Sequence, residues 1–329
     1  MTNISRSELL DRIIDAVQQS GWNVLYISST SEHPFKIRVY QQENSYQLRI
    51  FIWNLSPGGN NRPEDEYRIQ IHVPTLEPEA GFLSLLLGWW DEGNLFAAFD
   101  FNKHLGNLGK SSSRQIKKHT LNSAHANGIA AYDRGNGEIA IAFKPDLFMV
   151  YTSSFEQLHT FGELAEDLEL LEEVMKPNIT INTELLSAVS QPRQRAIQTI
   201  SKKLRDNSFQ CRVLTAYTYQ CAFCGIQLKL VDAAHIVPVS YEGSTDETCN
   251  GISLCALHHR AYDSGLVTLN SEYEVLHSPQ KMQQLKDIGH DSGMDKFIRD
   301  LRPLIEVPPD VRDRPHSKYV EQANKLRGW

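Results

Sequence analysis

Apolar residues recur at helical spacing from the start of the chain, where Leu9, Leu10, Ile13, Ile14 and Val17 fall on one face. Ser5 and Glu8 stand three apart just ahead of that face, the pattern of a capping box, and Gly21 follows as a stop. The period then changes. Segments 22–27, 35–40, 46–53 and 67–73 are rich in β-branched and aromatic residues and are separated by Gly, Pro and Asn clusters such as 56–61, which predicts strands of an antiparallel sheet. Segments 83–90 and 95–101 are almost continuously apolar around Asp91-Glu92-Gly93-Asn94, predicting a hairpin covered on both faces. Tryptophans 89 and 90 in that run read as core. A last hairpin, 128–132 with 138–143, turns at Asp133-Arg134-Gly135-Asn136-Gly137. Residues 1–155 are therefore expected to form one α+β domain with a mixed, antiparallel-rich sheet.

Beyond it the charge pattern shifts. Glu163, Glu166, Asp167, Glu169, Glu172 and Glu173 lie around Leu164, Leu168 and Leu171 with no base among them, which predicts a helical acidic linker over 156–190 that Pro177 interrupts. Pro192 then precedes a helical stretch of opposite sign carrying Arg193, Arg195, Lys202, Lys203, Arg205 and Arg212, and 191–329 is expected to be a second domain. Its later part reads as a strand or two over 263–276 and a helical tail from 280 to 305. A length of 329 residues and a 41% hydrophobic fraction suit two packed domains. No apolar run reaches the roughly 18 residues of a membrane helix and the first residues lack a signal-peptide pattern, so a cytoplasmic location is expected. With 33 Lys and Arg against 40 Asp and Glu, the net charge of −7 excludes coating nucleic acid by bulk charge and leaves that to local patches.

The chemistry is concentrated in one stretch. Cys221 and Cys224 are followed by Cys255 and His258 at a like spacing, a four-ligand set suited to a structural, tetrahedral zinc. Five cysteines without an export signal point to thiols and metal ligands rather than disulfides, and Cys211, outside the set, is expected to be a buried structural thiol. Interleaved are His235, on the apolar strand 230–237, then Asn250 and His259. A neutral imidazole accepts a proton from water at cellular pH, which makes His235 the candidate general base. His259 and Asp263, four apart on an expected helix, share a face and can hold a divalent ion with open positions, Mg²⁺ or, with the histidine, Mn²⁺. Asn250 is expected to fasten the connecting loop.

Cys221-x-x-Cys224-Gly225, Ala234-His235-Ile236-x-Pro238, Asn250-Gly251, Leu254-Cys255, His258-His259 and Asp263 together resemble the HNH endonuclease family with its ββα-metal finger. The lead-in Arg205-Asp206, Phe209, Val213-Leu214, Tyr217 is similar to bacterial HNH restriction endonucleases. By that resemblance His235 is the general base, Asn250 the loop-fixing residue and His259 a metal ligand, and the products carry a 5′ phosphate and a 3′ hydroxyl. Many family members have an acid directly before the first His, where this chain has Ala234. On a strand Asp232 lies an odd number of positions from His235 and points to the other face, so Asp263 is favoured as the replacement.

In the first domain, 110–119 holds four bases and a hydroxyl cluster that can cap a helix. Lys110, Ser112, Arg114, Gln115, Lys117 and Lys118 are the candidate DNA-binding residues, since Lys and Arg bind phosphates and Arg and Gln read base edges. The expectation is a restriction-type DNA endonuclease that acts on double-stranded DNA as a homodimer. The competing readings are a DNA-binding regulator with an inactive finger and an anti-phage nuclease switched on by a small ligand.

Overall fold

The structure is a computed structural model that describes all residues except 1–2, 60–61, 110–111, 136, 162–169, 172, 174–185 and 188, together with the side chains of 203 and 207. Two compact units emerge, residues 1–204 and 205–329. Most of the expected acidic linker, including Pro177, and the candidate Lys110 lie outside the described residues.

In the first unit, α1 (Arg6–Gln19) begins at Ser5, whose hydroxyl accepts from the Glu8 amide while the Glu8 carboxylate accepts from the Ser5 amide. Its apolar face, Leu9, Leu10, Ile13 and Val17, is buried. Strands β1 (Asn23–Tyr26), β2 (Phe35–Gln41) and β3 (Asn44–Asn54) form an antiparallel meander. The chain then leaves the sheet through β4 (Ser56–Pro57), β5 (Glu66–Gln70) and β6 (Thr75–Leu76). It returns as β7 (Leu83–Trp90) beside β3, and that pair is parallel, with Leu48 opposite Leu83 and Ile52 opposite Leu87. Apolar alternation does not encode strand direction; the long excursion between β3 and β7 permits a parallel neighbour where a short turn would force an antiparallel one.

Strand β8 (Leu95–Phe99) closes the expected hairpin with β7 and is buried along its whole length. Trp89 and Trp90 are core residues, as their apolar run indicates. After β9 (Gly106–Asn107), which pairs with β6, come β10 (Ser113–Lys117), α2 (Lys118–Asn127), β11 (Ile129–Asp133) and β12 (Ile139–Phe143). The main sheet runs β1-β2-β3-β7-β8-β12-β11, and a smaller one runs β10-β5-β4. Short helices α3 (Phe148–Ser153) and α4 (Phe155–Thr160) add Phe148, Tyr151, Phe155 and Leu158 to the core.

The hydroxyls near 112 do not cap a helix. Residues 113–117 pair with β5, and the following helix starts at Lys117 without a side-chain cap. Ile116 is fully buried, so pairing places it in the core where a helix start would leave it at the rim.

Helix α5 (Gln191–Ala216) spans the boundary; Ile197 and Ile200 belong to the first core, and Phe209, Val213, Leu214 and Tyr217 to the second. Cys211 is exposed rather than buried, because it lies on the face of α5 away from those four residues. The second unit continues with the antiparallel pair β13 (Val231–His235) and β14 (Gly251–Cys255), then α6 (Ala256–Asp263). Next come a small pair, β15 (Val267–Leu269) and β16 (Val275–His277), then α7 (Pro279–Asp287), α8 (Met294–Arg299) and α9 (Ser317–Arg327). Among the described residues no helix is long and apolar enough to cross a membrane.

Gly88, in the middle of β7, marks a tight approach: a Cβ there would stand 2.6 Å from Ile69 Cγ2 and 3.1 Å from Leu55 Cδ1. Overpacking of this kind costs about 1–3 kcal/mol. Gly88→Ala is expected to lower the unfolding free energy of the first unit by that amount, read as a lower denaturant midpoint at unchanged slope, and an unchanged midpoint would show that the small sheet can shift away from β7.

Candidate functional site

Four ligand atoms of Cys221, Cys224, Cys255 and His258 lie within 4.8 Å of one another. The local chain explains why. After α5 the chain turns so that Gly225 N donates to Cys221 O and Cys221 N to Ile226 O, with Gly225 at φ +78°, where a side chain is strained. Cys255 is the last residue of β14 and the N-cap of α6, which puts His258 one turn on and back over it. His258 Nδ1 is 3.3 Å from Cys255 Sγ and 3.5 Å from Cys221 Sγ. A tetrahedral zinc with about 2.3 Å to sulfur and about 2.0 Å to nitrogen has an S···N edge of about 3.5 Å, so the residues fit that ion. Burial pushes all three thiols above the ordinary cysteine value. A bound cation reverses that preference and makes the thiolate the stable form.

His235 ends β13, opposite Gly251. Its ring stacks on Phe209 of α5 with centroids 3.8 Å apart and planes 11° from parallel, and its Nε2 is 3.0 Å from Asp246 Oδ1. Gly251 makes room for this: a Cβ there would come within 2.3 Å of Val213 Cγ2 and 2.9 Å of Phe209 Cζ. Gly251 has φ −122° and ψ 149°, so Asn250-Gly251 is a strand entry and not the type I′ turn this dipeptide also suits.

Asn250 is fully buried, and its amide closes the loop that leaves His235. Oδ1 accepts from Val237 N at 3.0 Å, while Nδ2 donates to Thr245 O at 2.8 Å and Ser244 Oγ at 3.3 Å. Leaving such a group unpaired costs about 1–3 kcal/mol, which makes a single loop conformation strongly favoured.

His259 projects from α6 between two carboxylates. Its Nε2 is 3.5 Å from Asp263 Oδ2, one helical turn on, and its Nδ1 is 3.9 Å from Asp232 Oδ2 on β13. Asp232, then Asp263, raise the imidazole above the ordinary histidine value against the effect of burial. The two acids are not equivalent. Asp263 Oδ1 also faces Arg327 Nη2 at 3.7 Å, and that guanidinium is itself pinned, donating to Ile236 O at 2.8 Å and lying 4.2 Å over the Tyr262 ring. Both carboxylates are more than half exposed, so the difference between them is the Arg327 guanidinium beside Asp263. The acids approach opposite nitrogens of one ring, so an ion on either nitrogen has one carboxylate and open positions, the few-ligand arrangement that magnesium and manganese accept.

The basic segment of the first unit divides. Arg114 lies on the Ile116 side of β10, half-buried, with its Nη1 donating to Ser113 O and Ser112 Oγ, and burial lowers it, with Arg134 adding to the effect. Gln115 and Lys117 point to the other side, where Lys117 Nζ meets Asp65 Oδ1 at 3.0 Å. Lys118 is exposed at the start of α2. Strand alternation therefore separates Arg114 from Gln115, which a helix would have kept on adjacent positions.

Asp246, Phe209, Asp232, Tyr319 and Arg327 are the residues at this site that spacing did not single out. Phe209 belongs to the lead-in pattern and strand alternation points Asp232 away from His235; the others sit at the site only through tertiary packing.

Residues 221–270 match the HNH endonuclease family, and residues 46–152 match a family described as methylase-associated X1. No curated protein matches the chain. Among solved structures, a modification-dependent TagI restriction endonuclease aligns with a TM-score of 0.30 at 10% identity, over 85% of this chain and 81% of that one. A likeness that weak carries no argument about this chain.

The metal cluster yields a direct test. Structural zinc contributes on the order of 10 kcal/mol, comparable with the whole stability of a small domain, roughly 5–15 kcal/mol. Purified protein is expected to contain one zinc per chain by elemental analysis, and stripping it with a strong chelator is expected to unfold 205–329 while the first unit keeps its own transition. A second unit that melts unchanged after the metal is gone would remove the structural role.

Proposed function

Starting from an HNH endonuclease domain at residues 221–270, we propose that this chain is a divalent-metal-dependent DNA endonuclease of restriction type. Residues 1–155 recognise the DNA, 156–190 link, and 191–329 cut. The observation that carries the reading is the geometry around buried Asn250, which ties the loop after His235 to the start of β14 and so fixes the base on the same short sheet from which α6 and His259 follow.

His235 accepts the proton of the attacking water, and Asn250 acts by holding the loop. His259 and one carboxylate hold the working ion; the guanidinium beside Asp263 favours Asp232 for that place. What such an ion, Mg²⁺ or Mn²⁺, contributes is charge that neutralises the scissile phosphate and the departing 3′ oxygen. Cys221, Cys224, Cys255 and His258 hold zinc for architecture alone, and the products carry a 5′ phosphate and a 3′ hydroxyl. One such site cuts one strand, so a break in double-stranded DNA calls for a homodimer. Sensitivity to base modification is supported by the methylase-associated description of the family that residues 46–152 match. Ser112, Gln115, Lys117 and Lys118, with Lys110, remain the proposed phosphate and base contacts, and Arg114 contributes by bracing β10.

Plasmid DNA with and without cytosine or adenine methylation, incubated with the protein in Mg²⁺ or EDTA, tests the reaction. Discrete bands in Mg²⁺ alone are expected, and retardation without cutting would instead indicate a binding protein. His235→Ala is expected to slow cleavage by about 10²–10⁴-fold with DNA binding retained, the range for loss of a general base; parental cutting by this variant overturns the assignment. Asp232→Ala is expected to raise the Mn²⁺ concentration needed for half-maximal cleavage more than Asp263→Ala does, and the reverse order would return the ligand role to Asp263.

A further inference from the structure

Among the described residues, one carboxylate meets His235 directly. Asp246 Oδ1 stands 3.0 Å from His235 Nε2. A carboxylate has lone pairs and no proton to give, so in this contact the ring nitrogen is the donor. Nε2 therefore carries the hydrogen, and Nδ1 is left with its lone pair. Nδ1 has no hydrogen-bond partner among the described residues, and it is absent from the polar atoms sealed off from solvent without one, so water reaches it.

We propose that Asp246 is the positioning residue of His235, fixing the tautomer in which Nδ1 is the bare nitrogen that takes the proton from water. The inference rests on His235 being the base and adds the residue that decides which of its nitrogens does the work.

Asp246 is held as a positioning residue has to be. The residue before it is fastened twice, Thr245 O by Asn250 Nδ2 at 2.8 Å and Thr245 Oγ1 by the Tyr319 hydroxyl at 2.7 Å. The residue after it, Glu247, accepts from the same hydroxyl at 2.6 Å. Arg212 Nη2 donates to the carbonyl of Asp246 itself. Phe209 fixes the plane of the imidazole by stacking, and Asp246 fixes its rotation within that plane by holding one edge. An ordinary surface ion pair has neither the fastened flanks nor the clamped partner, and its two side chains wander.

The experiment uses the full, zinc-loaded chain labelled with ¹⁵N in histidine, with the His235 signals identified by their loss in His235→Ala. Long-range ¹H–¹⁵N correlation is expected to show the Nε2–H form at His235 in the parent and a mixture of tautomers in Asp246→Ala. Asp246→Ala is also expected to lose about 10–100-fold in kcat, the range for groups that orient a working side chain, with DNA affinity and Mn²⁺ affinity within twofold of the parent. Asp246→Glu is expected to restore part of the rate and the Nε2–H form. An Nδ1–H form in the parent, an unchanged kcat in Asp246→Ala, or a loss of Mn²⁺ affinity that makes Asp246 a metal ligand each overturns the proposal. Failure of the base assignment itself shows separately, as undiminished cutting by His235→Ala.

Discussion

Three thiols and an imidazole packed into one small, largely buried volume are the constraint on which the second unit depends. Burial disfavours each thiol as an anion, and His258 Nε2 is buried with no hydrogen-bond partner among the described residues. A cation at the centre would convert that liability into the strongest local tie. It would join the turn after α5, the end of β14 and the first turn of α6, which are the elements that carry or flank His235 and His259. His235, at the end of β13, and His259, on α6, lie outside the four-ligand cluster on the elements around it.

A second, weaker tie sets the loop that follows His235. The Asn250 amide is worth only a few kcal/mol, yet it determines where residues 237–247 run, and through them where Asp246 meets His235. Stability and positioning thus come from different interactions of different size. A metal in the four-ligand cluster would supply the larger one, and the Asn250 amide supplies the smaller, which favours a single arrangement of the loop after His235.

The clustering of Cys221, Cys224, Cys255 and His258 and the fastening of the loop by Asn250 were legible before folding, because such residues are recognised by type at fixed spacing. Helix α1, the hairpins of the main sheet and the buried tryptophans were legible for the same reason, since periodicity reports which face is covered. The parallel pairing of β3 with β7 was not, because pairing direction depends on a partner 35 positions away and leaves no mark on either strand's own alternation. The hydroxyl cluster within 110–119 reads as a helix cap because serines and bases look alike in both settings, and only the pairing of 113–117 with β5 distinguishes them. Asp246, Tyr319 and Arg327 escaped notice because nothing in their neighbourhoods along the chain is unusual; their meaning is entirely in what folds against them.

Arg327 shows what this means for the size of the catalytic module. Its guanidinium reaches back across 91 positions to the carbonyl that follows His235, while its face covers Tyr262 and its edge meets Asp263. Tyr319, two turns earlier on α9, secures the loop on the other side of the base. The stretch in which the motif can be recognised ends near residue 270, but the stretch that keeps it in working order runs almost sixty residues further. A diagnostic signature and a minimal functional unit are different objects in this protein. Variation in a helix that contains none of the motif's letters therefore bears directly on whether those letters can be read as an enzyme.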